Sequence, residues 1–200
     1  IIAGAWIGTD REANEREIAA LIEVARAGHV DIAAVGNEVL LRGDLSTDQL
    51  IDYVRRVKAA LPDLPVGCVD AYFQFDESPE LVRACDVILA NCYPFWEGCD
   101  VAEASTRLQQ MHASVVKVAG GKPVIVTETG WPSDGSPVRQ AMPSPVNVMK
   151  YFIDLNKWSQ KHGVDVFYFS SFDESWKVRH EGDVGQRWGL WDTSEVNKYL

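Results

Sequence analysis

Short apolar runs rich in β-branched residues alternate along the whole chain with longer stretches of helical spacing. The runs predict strands over Ile1–Trp6, Asp31–Gly36, Pro65–Asp70, Val87–Cys92, Pro123–Glu128 and Val164–Ser170. Between them the spacing predicts helices over Arg11–Ala27, Thr47–Leu61, Ala102–Ala119 and Pro145–His162, with a shorter one over Pro79–Cys85. Two start signals sharpen these boundaries. Ser46 with Gln49 has the form of a capping box, and Ser144 followed by Pro145 reads as N-cap and first helical residue.

Strand and helix in alternation imply parallel strands joined by right-handed crossovers, and each strand is apolar enough to be covered on both faces. An open doubly wound sheet and a (β/α) barrel both satisfy this. No G-x-G-x-x-G follows a strand, so the dinucleotide-binding form of the open sheet has no support. Polar and aromatic residues gather instead at the strand ends: Asn37 and Glu38, Asp70, Asn91 and Tyr93, Glu128, Asp173 and Glu174. A parallel barrel brings such ends to one rim, where its active sites lie. The expectation is therefore an α/β fold of the (β/α)8 barrel type. A complete barrel takes ~250 residues, and six strands leave two β/α units missing. Without repeat, low-complexity tract or linker, the chain reads as a single, partial domain over residues 1–200. The Pro-, Ser- and Gly-rich segment Gly130–Pro143 is expected to overhang the rim.

Composition narrows the choice of partner. Nineteen Lys and Arg against twenty-nine Asp and Glu leave a net charge of −10, which argues against nucleic acid and favours a neutral substrate. No apolar stretch approaches the ~20 residues that cross a bilayer. The first residues already read as a strand without an initiator Met, so the start is expected upstream or removed, and localisation is not legible there. Cys68, Cys85, Cys92 and Cys99 match neither a zinc site nor a dense disulfide framework and are expected as small core residues. His29, His112 and His162 belong to helix segments, leaving His180 as the rim histidine. No His/Asp/Glu cluster has metal-ligand spacing, so neither metal nor cofactor is expected. Ser170 and Ser171 lack the G-x-S-x-G elbow of a serine hydrolase.

Two strand ends carry a glutamate in a polar and aromatic setting: Gly36-Asn37-Glu38 and Thr127-Glu128-Thr129-Gly130-Trp131. Ninety residues apart in sequence, they are expected to face each other across the barrel mouth. Glycoside cleavage needs such a pair, because the leaving oxygen must be protonated while an oxocarbenium-like carbon is stabilised. Alone, each reads equally as a helix cap or a solvated loop residue. Asn37 offers an amide to a sugar hydroxyl. Of seven Trp, Trp6, Trp158 and Trp191 are read as packing, and Trp96, Trp131 and Trp176, which follow strand ends, as faces for sugar rings.

These segments resemble glycoside hydrolase family 17, the β-1,3-glucanases and glucanosyltransferases. The resemblance rests on G-N-E at Gly36 to Glu38, T-E-T-G-W-P-S at Thr127 to Ser133, N-C-Y-P-F-W at Asn91 to Trp96, and F-D-E-S-W-K at Phe172 to Lys177. Glu181-Gly182 and Trp188-Gly189-Leu190 fit the same pattern. It implies a (β/α)8 barrel and a retaining reaction on β-1,3-glucan, by hydrolysis or transglycosylation, with Glu128 as nucleophile and Glu38 as acid/base. It further implies that Asn37, Tyr93, Trp131, Glu174 and Lys177 line the sugar subsites; Asp70, Trp96 and Trp176 are added from their strand-end positions. An extracytoplasmic location goes with it.

By the same resemblance Ile1–Trp6 is the third barrel strand. Two apolar edges are then expected to lie open and to favour self-association; light scattering that finds a well-folded monomer refutes this. The alternatives are an inactive or non-catalytic β-glucan-binding barrel fragment, or a related barrel acting on another β-linked glycan.

Overall fold

The computed structural model describes residues 1–199. Six strands, β1 (Ile2–Ala5), β2 (Ile32–Asn37), β3 (Val66–Ala71), β4 (Ile88–Asn91), β5 (Val124–Thr129) and β6 (Val166–Tyr168), follow one another across a single sheet in sequence order. Each strand is followed by helix: α1 (Arg11–Arg26), α2 (Thr47–Ala60), α3 (Gln74–Glu77) with α4 (Pro79–Ala84), α5 (Val101–Val118), α6 (Pro145–His162) and, after β6, the short α7 (Val178–Glu181). This is the β/α alternation expected, with six of the eight units of a barrel. The chain divides into two compact units, residues 1–91 with 112–125, and residues 92–111 with 126 onward.

In the first unit β1 pairs β2 with Ala5 opposite Val35, β2 pairs β3 with Ala33 opposite Val66, and β3 pairs β4 with Val69 opposite Leu89, all parallel. Every residue of β3 is buried, as a strand covered on both faces requires. One face packs Ala34, Val69, Val87, Leu89 and Ile125 together, with Ile2 and Ile32 against them. On the other, α2 buries Leu50, Ile51, Val54 and Val57. Its capping box forms as the sequence predicts: the Ser46 N–H donates to Gln49 Oε1 at 2.9 Å and the Gln49 N–H to Ser46 Oγ at 3.3 Å. The C-terminal end of α4 is closed by a lysine. Lys122 Nζ donates to the carbonyls of Val82, Arg83 and Cys85 at 2.6, 3.1 and 2.6 Å.

In the second unit β5 pairs β6 with Val126 opposite Val166. Helix α6 starts at the Ser144 cap, whose Oγ accepts the Asn147 N–H at 3.1 Å, and buries Val148, Tyr151, Leu155 and Trp158 at helical spacing. Strand β6 is shorter than its apolar run. Past Tyr168 the backbone leaves the sheet to exchange hydrogen bonds with the Trp188–Leu190 segment, Ser170 N–H to the Trp188 carbonyl and Leu190 N–H to the Ser170 carbonyl. The turns at Ser175–Lys177 and Gly182–Gln186, like α3 and α7, are too short to leave a period in the sequence.

Cys68, Cys85 and Cys92 are buried, and burial raises all three thiols, Cys85 to about 11. Cys99 departs from the expected core role: it lies partly exposed beside Asp100 at the entry to α5. No helix among the described residues is long and apolar enough to cross a membrane.

Candidate active site residues

In the first unit the end of β2 is bent by two left-handed residues, Gly36 (φ 79°) and Glu38 (φ 54°). Gly36 has no alternative. A Cβ there would come within 2.5 Å of Val39 Cγ2, on a backbone conformation that side chains already disfavour. Glu38 is held in its turn by its N–H, donating to the Val69 carbonyl at 2.9 Å. Its carboxylate Oε1 accepts Asn91 Nδ2 at 3.1 Å, and the same amide nitrogen donates to Asn37 Oδ1 at 3.1 Å. Asn91 closes β4 and is buried, so its geometry is fixed by the sheet.

Asp70, near the end of β3, lies beneath this turn. Its two oxygens accept the backbone N–H groups of Leu40 and Ala71, each at 2.9 Å. Burial pushes its carboxyl up to about 6; the Leu40 and Ala71 donors oppose the rise and the nearby Glu38 charge adds to it. Asp70 does not meet the expectation of a sugar contact. It is wholly buried and spends its acceptors on the backbone, so its effect is to hold the loop that leaves Glu38.

In the second unit the regular strand β5 delivers Glu128, whose Oε2 accepts the Tyr93 hydroxyl at 2.8 Å. The Glu128 carbonyl accepts the Cys92 N–H at 2.8 Å, setting the two segments in register. Rings surround this bond. Tyr93 meets Trp188 edge-on at 5.4 Å between centroids and Phe169 at 6.1 Å; Trp188 also touches Phe95 and Trp96, each at 5.5 Å. Lys177 Nζ lies 3.7 Å from the centre of the Phe169 ring and pairs with Glu174 Oε2 at 2.6 Å. Trp176, next in chain, is exposed, as is Trp96.

Contacts thus bring Asn37, Glu38 and Asp70 together in one unit, and Tyr93, Trp96, Glu128, Glu174, Trp176 and Lys177 together in the other. Trp131 is corrected. It is 0% exposed, wedged against Phe95 and Tyr151 with its indole N–H donating to the Met142 carbonyl at 2.9 Å, and has no face left for a sugar. Trp6 is corrected in the opposite direction: read as packing, it stands 58% exposed. Trp158 is buried as expected, and Trp191 only partly. Sequence reasoning placed Asn91 at a strand end without a task, and gave none to Phe169 and Trp188. For Asn91 the available signal was its place one residue before the Cys92-Tyr93 turn on a buried strand. Among the described residues, no group of three or more His, Cys, Asp or Glu is arranged to hold a metal ion.

Comparison with known proteins shows the family. Residues 1–189 match the model of the BtgE/BtgC glycoside hydrolase domain. A glucan 1,3-beta-glucosidase of Arthroderma benhamiae is 26% identical over 218 residues, covering 100% of this chain and 70% of the relative. A glucan endo-1,3-beta-glucosidase btgC of Emericella nidulans is 30% identical, covering 94% of this chain. The chain spans 59% of the length of a Saccharomyces cerevisiae glucan 1,3-beta-glucosidase and 33% of the btgC relative. The crystal structure of a glycoside hydrolase family 17 beta-1,3-glucanosyltransferase from Rhizomucor miehei superposes with a TM-score of 0.89 at 32% identity, covering 99% of this chain and 74% of that one. An active-site mutant of that enzyme has been solved in complex with laminaritriose. With the strand-end glutamates and their motifs in place, the chain belongs to glycoside hydrolase family 17, as a BtgE/BtgC-type glycoside hydrolase domain.

Proposed function

We propose that residues 1–200 act as one catalytic domain on β-1,3-glucan with retention of anomeric configuration, Glu128 serving as nucleophile and Glu38 as acid/base. In the first step the Glu128 carboxylate attacks the anomeric carbon while the Glu38 carboxyl passes its proton to the departing glycosidic oxygen, leaving a glycosyl ester. In the second, Glu38 as carboxylate takes a proton from water or from a sugar hydroxyl, whose oxygen attacks the same carbon and frees Glu128. Water gives hydrolysis; a sugar acceptor gives transglycosylation. The relatives carry both names, glucosidase and glucanosyltransferase.

The observation that carries the reading is the 2.8 Å hydrogen bond from the Tyr93 hydroxyl to Glu128 Oε2, which holds one oxygen of the carboxylate. The two amide hydrogen bonds made by Asn91 support Glu38 and Asn37 in the same way. Asn37, Tyr93, Trp96, Glu174, Trp176 and Lys177 are proposed to line the sugar subsites. The exposed Trp96 and Trp176 offer ring faces, and the Glu174–Lys177 pair offers charged hydrogen-bonding groups. Extracytoplasmic action fits a polymer substrate that does not cross membranes, and self-association is assigned to the edge strands β1 and β6.

Azide separates the two glutamates. In the E128A chain kcat on an activated laminarioligosaccharide falls by about three orders of magnitude or more, and azide restores turnover with an α-glycosyl azide as product. In the E38A chain azide gives the β-glycosyl azide instead. The same product from both variants contradicts the assignment. Oligosaccharide binding by an unmutated chain that never turns over selects the non-catalytic reading.

A further inference from the structure

Trp6 follows the last residue of β1, and the register of Ala5 opposite Val35 brings it level with Gly36, at the strand end that delivers Asn37 and Glu38. Alternation along β1 fixes its side. Ile2 packs on the cluster of Ala34, Val69, Val87, Leu89 and Ile125, whereas Ile7 is buried on the opposite face, close to Gly36 and Leu50. Trp6 therefore extends the face of Ile2 beyond the end of the strand.

Its ring is strapped in place. The Arg42 guanidinium lies 4.5 Å from the indole centroid, and Arg42 comes from the loop that starts at Glu38. That guanidinium has its own anchors: Nη2 donates to the Ile7 carbonyl at 2.7 Å, Nε to Asp44 Oδ2 at 2.7 Å, and Nη1 to the Asn37 carbonyl. The Trp6 backbone N–H, in turn, donates to Glu17 Oε2 at 3.1 Å, which holds the main chain at the base of the ring. A scattered surface tryptophan needs no explanation. This one has a backing cation fixed by three hydrogen bonds, one of them to the residue next to Glu38, and it still leaves 58% of its surface in solvent. A flat, apolar, immobilised face next to a polar cluster is what the C–H face of a pyranose ring seeks, and it costs little side-chain entropy when the ring docks.

Resting on the β-1,3-glucan reading above, we infer that Trp6 is a stacking platform for one glucosyl ring of the bound chain, a subsite wall on the Glu38 unit that helps decide how long an oligosaccharide the protein holds. Arg42 acts through Trp6 by holding the indole at a fixed tilt.

Calorimetric titration of laminaribiose to laminarihexaose into the 200-residue chain carrying E128Q tests this beside the same chain with W6A or W6F added. The exposed position lets both variants fold, which circular dichroism verifies. W6A weakens laminarihexaose binding about tenfold, and W6F, which keeps a ring face, restores most of it. Equal affinity in W6A and its parent, or a W6F loss as large as that of W6A, overturns the platform while the glucan reading stands. A parent that binds none of these oligosaccharides overturns the glucan reading and the platform with it.

Discussion

Around Glu38 the neighbours are amides, a buried carboxylate and backbone N–H groups; around Glu128 they are rings. The first neighbourhood is set by the backbone. Gly36 and Glu38 both take positive φ, the loop beyond is tied through Leu40 to Asp70, and Asn91 spends one nitrogen on two acceptors. The second is set by packing. Glu128 rides on a regular strand, and the phenol it accepts is fixed by edge contacts to Trp188 and Phe169. The same residue type is thus positioned by two different economies of structure, one sensitive to charge and the other to shape.

The comparison breaks most visibly at Tyr93. Y93F keeps the ring contacts and removes the hydroxyl, so kcat falls about 10- to 100-fold while KM for laminarioligosaccharides moves within about twofold, as loss of one charge-assisted bond at the reacting group predicts. An unchanged kcat means that packing alone positions Glu128. A smaller effect, confined to the polar side, is expected from pH. Asp70 titrates near 6 in the fold against about 3.9 in an unfolded chain, so the folded state binds the extra proton between these values. Its contribution to stability is present in full below about pH 4 and is lost as pH rises through about 6, on the order of 3 kcal/mol. The D70N chain lacks this slope, and urea melts of both chains across that window display the difference. Parallel curves contradict it. On the aromatic side the buried phenols of Tyr151 and Tyr168 are pushed upward by burial, away from this range.

The fold was nearly all legible because each element carries its own local signals. The Ser46–Gln49 box and the Ser144-Pro145 start each act within a few residues, and the observed bounds of α2 and α6 fall within one residue of those expected. The strand ends that carry Glu38 and Glu128 were legible for the same reason. What the sequence does not encode locally is which way a side chain turns. Trp131 looks like a sugar platform in the T-E-T-G-W-P-S segment. It is buried because Phe95 and Tyr151, distant in sequence, close over it, and because Gly130 lets the backbone approach Phe169, where a Cβ would come within 2.0 Å of the carbonyl oxygen. Asp70 and Trp6 exchange roles with expectation on the same ground. The acidic residue finds backbone donors and goes under the turn, and the aromatic one finds a cation to lean on and stays outside.

The most direct trial of the central assignment is covalent trapping. An activated 2-deoxy-2-fluoro-β-laminaribioside, which forms the glycosyl ester but resists its breakdown, is incubated with the chain, followed by proteolysis and mass spectrometry of the labelled peptide. The account predicts one equivalent of sugar on the peptide containing Glu128, and none when Glu128 is replaced by Gln. A label on Glu38, or on any other residue, contradicts it.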